Sequence, residues 1–176
     1  MFGTLDSADI EKILSQNIVG RIGCHANGKT YVVPISYAYD GECVYAHSYE
    51  GLKLSMMRKN PAVCFQVDRM EDMADWQSVI AWGTFEELTN EEERNKGLKK
   101  LIDRLTPAIA SKTVKLSPQW PFPTNDFSSI KGVIFRICLD EKSGRFEGID
   151  SQSFYNNEVG QKNSSAKELI KQPKLI

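Results

Sequence analysis

Twenty-two Lys and Arg against 23 Asp and Glu leave this 176-residue chain with a formal net charge of -1, so overall charge points to neither nucleic acid nor an anionic membrane as partner. A hydrophobic content of 41% on that length supports one domain with a proper core, and no apolar run approaches a membrane span. Four widely spaced cysteines, Cys24, Cys43, Cys64 and Cys138, form no C-x-x-C and fall in strand-like stretches. They read as reduced, buried small hydrophobes. Met1 to Asp9 carries acidic residues and no apolar run, so no export signal is expected and the cytoplasm is the expected compartment.

Leu5, Ala8, Ile10, Ile13 and Leu14 recur at helical spacing behind the cap candidates Asp6 and Ser7, which predicts a helix over Ser7 to Gln16. From Gly20 the period changes to that of strands. Arg21 to His25 and Tyr31 to Tyr39 flank Asn27-Gly28, a strong two-residue hairpin signal, and Asp40-Gly41 turns into a third strand over Glu42 to Ala46. A short helix over Leu52 to Lys59 ends at Asn60-Pro61.

Ala62 to Asp68 alternates as a fourth strand, Arg69 to Trp76 is a polar loop, and Gln77 to Leu88 is a long fifth strand whose Gly83 marks a bulge or bend. Thr89-Asn90 caps a helix with Glu92 or Glu93 at the capping-box position and Leu98, Leu101, Ile102 and Leu105 as its apolar stripe. Trp120-Pro121-Phe122-Pro123 is too stiff and apolar for a free linker and calls for a docking surface, either the end of its own barrel, a ligand or a second copy. Lys131 to Asp140 is a sixth strand, Gly144 to Gly148 a short return strand, and residues 151–176 a polar tail. The expected fold is mainly β: a small closed or split barrel of six or seven antiparallel strands over residues 1–150, with helices packed outside.

The stretch from Tyr45 to Pro61 carries the chemistry. A strand ends at a helix start, where Ser48 can cap, Gly51 admits close backbone approach, and free N–H groups, the Ser48 hydroxyl and the Lys53 ammonium can converge on one phosphate. A capped surface helix with a solvated lysine is the alternative reading. Other chemistries lack their residues. His25 and His47 stand far apart with no ligand spacing around them, no G-x-S-x-G elbow occurs, and Gly20, Gly23 and Gly28 do not make G-x-G-x-x-G.

In order along the chain, Val32-Val33-Pro34-Ile35-Ser36, Asp40-Gly41, Val44 to Ser48, Gly51-x-Lys53, Asn60-Pro61, Gln77-Ser78-Val79 and Gly83 resemble the FMN-binding split-barrel family of pyridoxamine 5′-phosphate oxidase and its relatives. Gly20-Arg21-Ile22-Gly23 and the His47-Ser48 pair bring the resemblance nearest to the branch of nitroimidazole-resistance proteins. It implies a homodimer with FMN at the subunit interface. Lys53 and Ser48 would hold the phosphate, with Gly51 and Leu52 giving backbone beside it. Val32, Val33, Pro34 and Ser36 would run along the ring system, and His47 would sit near the ribityl chain or ring edge. Gln77, Ser78 and Trp120 would reach in from the other subunit.

Where the oxidase carries a Ser-Arg-Lys phosphate triplet this chain has Gly51-Leu52-Lys53, and Gly144 to Ile176 offers no substrate clamp, so oxidation of pyridoxamine phosphate itself is not expected. The expected function is a flavin-dependent oxidoreductase passing reducing equivalents from a reduced nicotinamide to a small organic acceptor, a nitroaromatic compound being one candidate, with Tyr49, Trp82 or Trp120 as an apolar roof and the flavin carrying the chemistry. The alternative is a non-catalytic module for flavin or for haem, with His25 or His47 as the haem ligand.

Overall fold

A computed structural model describes residues 1–106 and 130–148. In chain order the elements are β1 (Phe2–Thr4), α1 (Ser7–Gln16), β2 (Val19–Ala26), β3 (Lys29–Tyr39), β4 (Cys43–Ser48), α2 (Leu52–Lys59), β5 (Ala62–Met70), β6 (Trp76–Glu87), α3 (Glu91–Leu105) and β7 (Val133–Glu147). All strand pairs are antiparallel, in the order β1-β7-β4-β3-β2-β5-β6, and β6 pairs with β7 to close the ring. The mainly β barrel with outer helices read from the sequence is this architecture.

Local chemistry sets most boundaries. Asp6 accepts from the Asp9 N–H at 2.8 Å and starts α1 one residue after Leu5. Asn27 and Gly28 adopt φ of 52° and 72°, the left-handed pair that a two-residue hairpin turn needs between right-twisted strands. Asn90 accepts from the N–H groups of Glu92 and Glu93, while the Glu93 carboxylate lies 3.6 Å from Arg136 instead of closing a capping box. At Gly83 the β6–β7 register shifts, as expected of a bulge, and a Cβ there would stand 2.2 Å from the Cys138 carbonyl oxygen.

Three expectations are corrected. Residues 131–140 and 144–148 do not form a strand and its return; β7 is one continuous strand of 15 residues, its first part lying between β4 and β6 and its last between β1 and β6. The strand carries through the polar run because β6 pairs Glu141 to Ser143, the register shifting by one residue at the unpaired Asp140, and Lys142 reaches Glu11 of α1. β1 was not anticipated from the sequence: three residues are too few to show alternation, and β7 recruits them. Not all four cysteines are reduced. Cys43 and Cys138, directly opposite each other on β4 and β7, form a disulfide, whereas Cys24 and Cys64 are free.

Two apolar clusters hold the fold. The larger fills the barrel with Ile22, Tyr37, Val44, Phe65, Val67, Val79, Phe135 and Ile137, plugged by Ile10, Ile13 and Leu14 of α1 and by Leu54 and Met57 of α2. Tyr37 is fully buried in it, edge-on to Phe65, and its hydroxyl donates to the Leu14 carbonyl at 2.7 Å. The smaller cluster lies under α3, where Leu98, Leu101 and Leu105 meet Tyr45, Ile130 and Ile134. No helix among the described residues is long and apolar enough to cross a membrane.

Candidate functional site: an open strand edge beside a lysine

β3 pairs with β2 from Lys29 to Ser36 but with β4 only from Tyr37 to Tyr39. Among the described residues, nothing pairs the other edge of Thr30 to Ser36. The two-residue turn makes Ala26 and Lys29 a hydrogen-bonded pair, so odd-numbered residues of β3 bond to β2, as Tyr37 N–H to the Ile18 carbonyl at 3.0 Å confirms. The backbone groups of Thr30, Val32, Pro34 and Ser36 therefore face the open edge. Pro34, opposite Arg21, sits where its missing N–H costs no ladder bond. Their side chains share one fate too. Val32, Pro34 and Ser36 project to the outer face and are exposed, while Val33 is half-buried on the inner side.

Past the end of β4 the chain turns into α2. No side chain caps this helix, and the first-turn N–H groups have no intrahelical acceptor. A Cβ at Gly51 would meet nothing within 4 Å, so the space before the helix is open. Lys53 is half-buried in the first turn, and no hydrogen bond or ion pair to it is found among the described residues. Burial lowers its pKa, opposed weakly by the nearby Cys24 thiol. Of the other cations of α2, Lys59 lies in the last turn, away from the helix start, and Arg58 is committed: it forms a two-pronged pair with Glu50 and a second with Glu87, each at 2.8 Å. Any anion here meets one ammonium.

The cap expected of Ser48 is not formed, and His47 bonds the backbone just ahead of β7. The Ser48 hydroxyl donates to the Tyr49 carbonyl at 2.8 Å and leaves α2 uncapped; the residue is 7% exposed on the barrel side of β4. His47, next on the strand, faces the opposite side. Its Nε2 is 2.7 Å from the Lys131 carbonyl, and a Cβ on Gly132, whose φ is +100°, would stand 2.5 Å from that nitrogen. Burial lowers the His47 pKa, the Lys131 hydrogen bond opposing it, so a neutral imidazole donates to that carbonyl. His25 engages Thr30 Oγ1 at 3.0 Å on the outer face. Among the described residues no group of three His, Cys, Asp or Glu could hold a metal.

Gln77 and Ser78 lie on β6, half-buried, and alternate faces. Ser78 shares the outer face and accepts from Gln66 Nε2 at 3.3 Å. Since β2 and β5 stand between β3 and β6, Ser78 is roughly 14 Å across the sheet from Ser36, on the side of β3 away from its open edge. Trp120 lies outside the described residues. Sequence reasoning missed the groove this outer face forms: about 560 Å³, floored by Gly23 and walled by His25, Thr30, Val32, Cys64, Trp82 and Thr84. Around it Val19, Val32, Ile80 and Trp82 are 39–60% exposed. Their shared parity across four paired strands was the available signal.

Comparison with known proteins sets this geometry in context. A FAD-binding protein of Mesorhizobium loti is 32% identical, with 84% of this chain and 99% of that one covered and a TM-score of 0.67. A protein of Bacteroides thetaiotaomicron described as a candidate 5-nitroimidazole antibiotic resistance protein shares the fold at 21% identity, 83% and 87% coverage and a TM-score of 0.63. An uncharacterised protein of Rhizobium meliloti (strain 1021) is 25% identical over 144 residues, 78% of this chain and 89% of that one. Residues 6–146 match the pyridoxamine 5′-phosphate oxidase family along nearly the whole barrel, and the chain belongs to that family.

Proposed function

We propose that this chain binds a flavin, FMN, between two copies of itself and passes reducing equivalents from a reduced nicotinamide to a small organic acceptor, a nitroaromatic compound being the type to try first. The observation that carries the reading is Lys53: a half-buried ammonium without a described counterion, at an uncapped helix start, beside an unpaired strand edge. A phosphate supplies the charge that Lys53 lacks. The N–H and C=O groups of Thr30, Val32 and Ser36 on the open edge suit the donor and acceptor rim of a flat heterocycle, with Val32 and Pro34 giving apolar contact. The 32%-identical relative is described as FAD-binding, which supports a flavin and leaves FAD as the form to test against FMN.

The exposed apolar outer face supports the second copy. Val19, Val32, Ile80 and Trp82 on one sheet face are what a subunit contact would cover, and only a neighbouring copy could bring Ser78 or Gln77 to the β3 edge. Flavin, when bound, supplies the electron and hydride chemistry. The chain's residues position and shield: Lys53 fixes the phosphate end, β3 the ring, and the paired faces exclude water. For the haem alternative, His47 has its Nε2 engaged by the Lys131 carbonyl and His25 its Nδ1 by Thr30, and a Soret band in the purified protein is the observation that would favour it.

The deciding experiment is the visible spectrum and solution mass of the purified protein, with chromatography of the released cofactor and turnover of reduced nicotinamide with a nitroaromatic and a quinone. A flavin spectrum, a dimer mass and acceptor-dependent turnover above that of free flavin are expected. Colourless protein that takes up neither FMN nor FAD overturns the flavin reading; bound flavin without turnover leaves a carrier and overturns the oxidoreductase.

A further inference from the structure

The Cys43–Cys138 bridge occupies a position that ties redox state to the shape of the outer groove. The Leu139 N–H donates to the Glu42 carbonyl at 3.0 Å, so Glu42 and Leu139 are a hydrogen-bonded pair and Cys43 and Cys138, next in register, are a non-hydrogen-bonded one. Such pairs ordinarily keep their Cα atoms about 4.5 Å apart. Here the separation is 4.0 Å, so the bridge draws β4 and β7 together. On the other edge of β7 the Cys138 carbonyl abuts Gly83, so close that a Cβ would stand 2.2 Å from its oxygen. Gly83 pairs with Leu139 beside Asp140, the β7 residue that the register shift leaves unpaired, and Trp82, Gly83, Thr84 and Asp140 line the groove. Movement of Cys138 away from Cys43 is thus movement against Gly83, next to the bulge at Asp140.

The remaining cysteines cannot interfere. Cys64 lies opposite Gly23 and Cys24 opposite Val63, so neighbouring strands hold the two free thiols on opposite faces. Cys138 is half-buried and sits beside the exposed residues Gly41 and Glu42, within reach of a small dithiol.

We infer that Cys43–Cys138 is a reversible redox latch: bridged, it pins β7 to β4 beside the bulge at Asp140, and opened, it loosens the bulge and reshapes the groove lined by Trp82, Thr84 and Asp140. A dithiol reductant delivers two electrons and two protons, the Cys43–Cys138 S–S bond becomes two thiols, and the reductant becomes a disulfide. A disulfide oxidant such as oxidised glutathione reverses the step through a mixed disulfide.

The test is hydrogen exchange read by mass spectrometry on flavin-free protein, in the bridged form, after dithiothreitol, and after reoxidation with oxidised glutathione, with thiols counted by alkylation at each stage. Flavin is absent from every arm, so the outcome is independent of the proposed cofactor. Of four cysteines, the count of free thiols should rise from two to four under native conditions and return on reoxidation. Exchange should quicken several-fold in peptides spanning Trp82 to Phe85 and Cys138 to Lys142, with α1 and β2 unchanged. The double variant C43A/C138A should exchange at the reduced rate whatever the redox buffer; should it fail to fold, the reduced wild type carries the comparison. A bridge that yields only in denaturant, unchanged exchange at the bulge, or a uniform rise across the barrel overturns the latch.

Discussion

Lys53→Met separates binding from folding with opposite signs. In the free protein Lys53 is a half-buried cation whose burial lowers its pKa, so at neutral pH the folded state holds that charge at a cost. Met keeps the apolar stem and removes the charge; stability of the ligand-free variant should be unchanged or slightly higher, within about 0.5 kcal/mol. Binding should suffer. Arg58 is paired with Glu50 and Glu87 and cannot replace Lys53, so the variant loses one charge-assisted hydrogen bond, about 1.5–3 kcal/mol. That corresponds to roughly 10- to 150-fold weaker FMN binding, the remainder being held by the helix start and the β3 edge. Urea unfolding of the ligand-free proteins and fluorescence titration with FMN measure the two quantities. Affinity within about threefold of wild type would remove Lys53 from the phosphate site, and a ligand-free variant that is destabilised as much as its binding is weakened would make the lysine structural.

Gly83→Ala places a methyl against the Cys138 carbonyl and should cost about 3 kcal/mol in urea unfolding; a loss under about 1 kcal/mol would mean that the bulge yields freely. Tyr37→Phe leaves the Leu14 carbonyl without its buried partner, so a loss of about 1–2 kcal/mol is expected, and no loss would show that another donor reaches that oxygen. Burial alone would raise the Asp40 carboxyl, but the Lys100 hydrogen bond and the N–H groups of Cys43 and Glu42 outweigh it and hold the pKa at about 2. Its contribution is therefore complete above the unfolded value of about 3.9 and fades as pH falls toward about 2. Asp40→Asn should flatten stability against pH across that window, and an unchanged slope there would assign the acid transition to other carboxylates.

How much could be read from sequence follows how local each signal is. The α1 cap, the Asn27-Gly28 turn and the Gly83 bulge depend on a few adjacent residues whose conformational needs are strong, and each lies where the reading put it. The Ser48 cap failed for a short-range reason: the Tyr49 carbonyl next to it is an easier acceptor to reach than the helix start is a donor. The bridge failed for a long-range one. Cys43 and Cys138 are 95 residues apart, and only the β4–β7 register sets them opposite each other. In the site, the open edge of β3 is legible only once β4 is seen to part from it after Ala46, since an unpaired edge is a property of the neighbouring strand.

β7 also governs when the barrel can exist. It pairs with β1, β4 and β6, so Phe2 waits for Glu147, Ser48 for Val133 and Glu87 for Phe135. A growing chain can form the β2–β3 hairpin and the β5–β6 ladder early, yet both edges that β7 joins stay bare until it emerges. Such separated pairings make folding slow, and the flanks of β4 and β6 are then open to another chain. The nascent polypeptide should engage holding chaperones through most of its synthesis and release them late, when residues near Glu147 clear the ribosome.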